Sequence, residues 1–172
     1  MELVNEIDSE VLKSILDLPS ERRKSILEKV NQIEKQVQNL ELHIEKAKPG
    51  ILNLHDNWDE KGARGYNAEF WNHTTTFLLQ FLKQVWSRLL NMPLPNILPG
   101  PEGSIDLNWD DDPINLLINI PQDPNEPVSF YGEYSNKKEI EGSIELELID
   151  SVLIPWLMRS EEHTSELQSP NT

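Results

Sequence analysis

The chain has 172 residues, with 30 acidic against 15 basic side chains and a formal net charge of −15. That balance argues against a nucleic-acid backbone or an anionic membrane as the main partner, since both need a positive footprint. The absence of cysteine removes disulfide scaffolds, thiol nucleophiles and thiolate metal sites, and no apolar run approaches the ~20 residues of a membrane-spanning helix.

The chain opens Met1-Glu2-Leu3-Val4-Asn5-Glu6, without the basic start of a signal peptide, so a cytoplasmic protein is expected. Residues 8–17 predict a short helix, capped by Asp8 or Ser9, with Val11, Leu12, Ile15 and Leu16 in one apolar stripe. Pro19 stops it and Ser20 restarts the chain. Over residues 20–47 the apolar positions Ile26, Val30, Ile33, Val37, Leu40, Ile44 and Ala47 step by four and three. That is a heptad seam, with Val30, Val37 and Ile44 at a and Ile26, Ile33, Leu40 and Ala47 at d. Two readings follow: a coiled-coil arm that pairs with a protein partner or a second copy, or half of a helical hairpin packed on its own domain. A parallel homodimer would bring Lys29 toward Glu34 of its mate. His43, at a g position, is expected in solvent. Lys48-Pro49-Gly50 predicts the helix end.

A second region, residues 51–158, follows. Residues 52–66 form a glycine-bearing loop around Trp58 and Asp59, and Asn67 caps a helix expected over 68–91. Phe70, Thr74, Phe77, Leu78, Phe81, Val85 and Leu89 line its apolar side, so it is the natural cover for a sheet. Four prolines between Pro93 and Pro101 predict an extended connector. Within residues 104–148, alternate residues fall into register: Ile105, Leu107 and Trp109; Leu116, Ile118 and Ile120; Val128 and Phe130; then Ile140, Ile144, Leu146 and Leu148. Asp110-Asp111-Asp112-Pro113, the segment 121–127 and the segment 135–138 supply the turns. The expected fold is α+β: a four-stranded antiparallel meander, a long helix on one face and an N-terminal helical arm. A short helix over 150–158 should close it, starting late or kinked because of Pro155.

Residues 159–170 read RSEEHTSELQSP, which resembles the translated read-through of a common sequencing adapter. Residues 159–172 are therefore expected to be an artefactual, disordered tail. Arg159 stands there against three glutamates, leaving a net −13 for residues 1–158.

The order Asn57-Trp58-Asp59, Gly62-Ala63, helix, Pro93-x-Pro95, Gly103-x-Ile105-x-Leu107-x-Trp109, Leu116-x-Ile118-x-Ile120 and Phe130-Tyr131-Gly132 resembles a widespread group of small bacterial proteins. The match spans roughly residues 52–148. The resemblance implies a place in accessory or mobile gene neighbourhoods and no established activity.

Chemistry-bearing motifs are few. Asp106 with Asp110, Asp111 and Asp112 could hold Mg²⁺ or Ca²⁺ for a small hydrolase or nuclease, but three of them fall at a turn, where Asp is common for local reasons. No calcium loop, H-E-x-x-H pair, G-x-S-x-G elbow or phosphate-binding glycine loop is present. No catalytic, cofactor or metal residue is assigned on this basis. Trp58 is either a lid on the core or an anchor for a partner. Tyr131 falls opposite Phe130, on the face left open if helices cover one side. The expected role is a non-catalytic acidic interaction module, in the form of the neutralising member of a two-gene system. A structural homo-oligomer built by the heptad helix is the other interaction reading.

Overall fold

A computed structural model describes residues 9–88, 90–135 and 138–167. The chain divides into two units, residues 1–38 and 39–172, with the boundary inside the second helix rather than near residue 50. In the first unit, helix α1 (Ser9–Leu16) is followed by the start of α2 (Ser20–Leu52). Asp8 lies outside the described residues, as does the side chain of Leu12.

The second unit is an α+β fold with an antiparallel sheet of five strands in sequential order. They are β1 (Asn96–Pro99), β2 (Ile105–Asp111), β3 (Ile114–Ile120), β4 (Val128–Tyr134) and β5 (Glu139–Ile144). The sequence reading gave four. The added strand lies within the proline-rich connector, where Asn96 pairs with Asn108 and Pro99 with Ile105. Its place at the sheet edge explains the tolerance, because an edge strand leaves one row of backbone groups outside the ladder.

Ile105, Leu107 and Trp109 of β2, Leu116 and Ile118 of β3, and Val128 and Phe130 of β4 are buried as the alternation requires. Their cover is α3 (Ala68–Ser87), started by Asn67, whose side chain accepts from the Phe70 amide at 2.8 Å. The ring of Phe81 meets Trp109 edge-on at 6.2 Å, and the Trp109 indole donates to the Pro93 carbonyl at 2.8 Å. The helix ends at Ser87, four residues short of the expected end; Leu89 lies outside the described residues.

Three further boundaries differ. Helix α2 continues through Pro49 to Leu52, because the proline falls in the last turn, where the buried Ile51 and the Asn53 amide on the Pro49 carbonyl hold the end. Strand β5 stops at Ile144, and Leu146–Leu148 forms a 3-10 turn in place of the expected continuation. Helix α4 (Ile149–Leu167) then starts at once and carries Pro155 in its interior. An interior proline costs about 3 kcal/mol. Burial of Ile149, Leu153, Ile154, Trp156 and Leu157 offsets it, at roughly 1.5–3 kcal/mol for each large side chain. The helix runs on through residues 159–167, where disorder was expected.

Two contacts fix α4 on β4: Trp156 lies edge-on to Tyr134 at 6.3 Å, and it crosses Gly132, where a Cβ would stand 2.8 Å from the indole. No helix among the described residues is long and apolar enough to cross a membrane.

Candidate functional site

With α3 and α4 packed on one side of the sheet, alternation turns every second strand residue to the other. One row across the sheet is Asn96, Asn108, Leu117, Tyr131 and Glu141. A second is Leu98, Asp106, Asn119, Ser129 and Ser143; a third is Asp110, Asn115, Glu133 and Glu139. Asp106, Asp110, Glu133, Glu139 and Glu141 are carboxylates, and no strand position on this face is Lys or Arg. Tyr131 and Leu98 give it apolar area, at 40% and 45% exposure. The Tyr131 phenol is pushed above its ordinary 10.0 by partial loss of solvent and then by the charges of Glu133, Glu139 and Glu141. Glu133 and Glu139 stand directly opposite each other, an arrangement that destabilises a sheet.

The Asp cluster does not converge. Asp106 and Asp110 share a face but lie four residues apart along β2, about 13 Å at the strand rise, too far for one ion. Asp111 points the other way, opposite Ile114, and Asp112 lies in the turn. Asp106 is instead held by Asn119, whose Nδ2 donates to it at 2.6 Å and to the Ser104 hydroxyl at 2.7 Å. Among the described residues no group of three or more His, Asp or Glu could hold a metal ion.

The Trp58 loop is built by its own side chains. Asp59 accepts from the Lys61 and Ala63 amides at 2.9 and 3.0 Å, and Asn57 accepts from Gly62 at 2.8 Å. The hydrogen bonds from Ala63 and Lys61 hold the Asp59 carboxyl below its ordinary value. Asn57 takes φ +64° and Gly62 φ +93°, conformations that Asn and Gly tolerate best. Trp58 is half-buried and leans on Tyr66, with centroids 6.3 Å apart; Tyr66 in turn stacks on Phe70 at 6.4 Å. The Tyr66 hydroxyl donates to the Ser104 carbonyl at 2.8 Å, and burial pushes it up to about 12. Trp58 and Asp59 thus meet local partners in the loop and against the core, and neither belongs to the rows around Tyr131.

The heptad seam divides along its length. Leu40 and Ile44 are buried, and His43, expected in solvent, is half-buried and donates from Nε2 to the Pro95 carbonyl at 2.7 Å. This part of α2 packs in cis. Toward the N-terminus, Val37 is buried, Ile33 and Ile26 are half-buried, and Val30 is 39% exposed.

Leu98, Glu139 and Glu141 were not singled out from the sequence. Leu98 was masked by the prolines around it, and the two glutamates gain meaning only once β5 is registered on Tyr131 and Glu133. Comparisons with models of protein families, with curated proteins and with solved structures find no match.

Proposed function

We propose that this chain is a non-catalytic interaction module that receives a basic protein partner on the open face of its sheet. The supporting observation is the composition of that face: five carboxylates around an exposed tyrosine, with no basic strand residue among them. Like charges held opposite each other at Glu133 and Glu139 weaken the free protein, and a cationic partner relieves that repulsion on binding. An exposed tyrosine among charged groups is also the residue type that anchors protein interfaces. The net charge of −15 adds long-range attraction for a basic protein and speeds encounter. In its more specific form the module is the neutralising member of a two-gene pair, the partner being encoded next door.

Capture from the source organism by tagged protein, with identification by mass, tests this. The expected result is a basic protein, bound in a fixed ratio, that is lost when Glu133→Lys and Glu141→Lys are combined and weakened by Tyr131→Ala. Retention of the same proteins by the charge-reversed variant, at the same salt, removes the reading.

A second reading rests on the seam. Ile26, Val30 and Ile33 keep exposed area at heptad spacing, which suits a second copy of the chain. Ile33→Glu should then halve the mass in solution while the sheet domain stays folded. Leu40→Glu is no test of pairing, because Leu40 is fully buried. An unchanged mass for Ile33→Glu removes this reading.

A further inference from the structure

A sheet of five strands in sequential order has two edges, β1 and β5, and an edge strand turns every second N–H and C=O away from its neighbour. The β1 edge is guarded. Pro99 stands within that strand and Pro95 just before it, neither able to donate, and the Pro95 carbonyl already accepts from His43 of α2. The β5 edge has no such guard. Its sequence, EIEGSI, contains no proline, and its register on β4 runs without a bulge from Val128–Ile144 to Glu133–Glu139. Among the described residues, no backbone hydrogen bond joins residues 139–144 to anything but β4.

The side chains along this edge are sorted by face. Glu139, Glu141 and Ser143 lie on the open face, in line with Glu133, Tyr131 and Ser129. Ile140, Gly142 and Ile144 lie on the core face, where the two isoleucines are half-buried and Gly142 is exposed. The Phe130 ring fills the place of a side chain at Gly142, 2.9 Å from where a Cβ would stand. Neither glutamate makes a hydrogen bond or ion pair among the described residues. Lys138, just before the strand, donates to the Arg159 carbonyl of α4 at 3.4 Å.

Those charges decide what the edge accepts. Antiparallel pairing with a second copy, centred on Ile140, sets Glu139 against Glu141; centred on Glu141, it sets that residue against its own counterpart. Like charges in direct opposition are destabilising, so the glutamates guard the edge against its own copies. A strand with lysine or arginine at the same positions reverses the sign. Apolar residues between them would cover what Ile140 and Ile144 leave exposed.

We propose that β5 takes a sixth strand from its partner, an extended segment in which basic residues alternate with apolar ones. This deepens the reading of the open face as the seat of a basic protein, and rests on it. It states how that partner is held: by a backbone ladder along the edge as well as by charge across the face.

Titration of the full chain with the capped peptide Lys-Val-Lys-Val-Lys-Val, followed by amide hydrogen exchange, tests it. Saturable binding is expected, and alternate amides of residues 139–144 should gain protection, which attraction between charges alone does not produce. N-methylation of the peptide amides, which keeps the charge and removes the ladder donors, should abolish binding. Glu139→Gln combined with Glu141→Gln should weaken it by about tenfold, the scale of two cross-strand charge pairs. Both side chains are exposed, so an unchanged melting temperature separates loss of binding from loss of fold. Absence of saturation, equal binding by the methylated peptide, or binding without protection in β5 overturns strand addition and leaves the basic-partner reading standing. Equal binding by the peptide with glutamate in place of lysine overturns both. Protection of the β5 amides in the free protein at doubled mass also overturns the proposal, the edge then belonging to a second copy.

Discussion

The same β-strands carry two opposite surfaces, and residues one position apart belong to different chemistries. Phe130 is buried and Tyr131 beside it is exposed; Leu107 is fully buried and Asp106 before it is not. The core face is explained by packing: apolar side chains, an edge-on Phe81–Trp109 pair, and the indoles of Trp109 and Trp86, which donate to the carbonyls of Pro93 and Met92. The open face is not explained that way. Nothing in stability requires five carboxylates with Glu133 facing Glu139, since the net cost of like charges in direct opposition is positive. The lesson is that a residue's place in the alternation decides whether its chemistry serves folding or is left over for something else.

The largest effect that sharpens this contrast is truncation of Trp109. It is 2% exposed and its N–H has a partner, so Trp109→Ala should cost about 3–5 kcal/mol in urea unfolding. Tyr131→Ala on the other face should leave the unfolding midpoint where it is. A Tyr131→Ala protein as unstable as Trp109→Ala would break the comparison, because the open face would then be part of the core.

Gly132 gives a smaller effect on the same strand. Its missing side chain is what lets the Trp156 indole cross β4, and a Cβ would also press on Ile140 at 3.0 Å and Leu116 at 3.2 Å. Gly132→Ala should destabilise by about 1–3 kcal/mol, as overpacking does. Ser129→Ala, at a position of opposite alternation and exposed, should be close to neutral in the same assay. Equal midpoints for the two variants would mean that α4 does not hold its place on β4.

Much of the core face was legible because apolar alternation is a strong signal: Ile105, Leu107 and Trp109 could be assigned to one side from the sequence alone. Asn67 as a cap and Tyr131 as an outward residue were legible for equally local reasons. What escaped was set by distant parts of the chain. β1 is a strand only because β2 offers it a ladder, against the local preference of its prolines. The segment 146–148 continues the alternation of β5, yet turns away to begin α4, whose buried face outweighs Pro155. The heptad spacing of α2 is equally compatible with a partner helix and with its own domain; for Leu40 and Ile44 the domain won.

The smallest effect compares two tyrosines on β4 that face opposite ways. Both phenols are raised from 10.0: Tyr134 by burial and then by the charge of Glu161, Tyr131 by partial desolvation and then by Glu133, Glu139 and Glu141. A raised phenol is neutral in the folded state over a range where the unfolded chain has already lost the proton. Its contribution to stability is therefore full below pH 10 and is lost as pH rises through the folded value. With three tyrosines in the chain, ring NMR signals can follow each separately. Glu141→Gln should lower the midpoint of Tyr131 toward 10 and leave Tyr134 in place, because Glu141 pairs with Tyr131 across the open face. Added salt should shift Tyr131 in the same direction, since exposed charges are screened over about 10 Å at 0.1 M. If Glu141→Gln moved Tyr134 as much as Tyr131, the two faces would not be electrically separate, and the carboxylates around Tyr131 would lose their standing as a surface of their own.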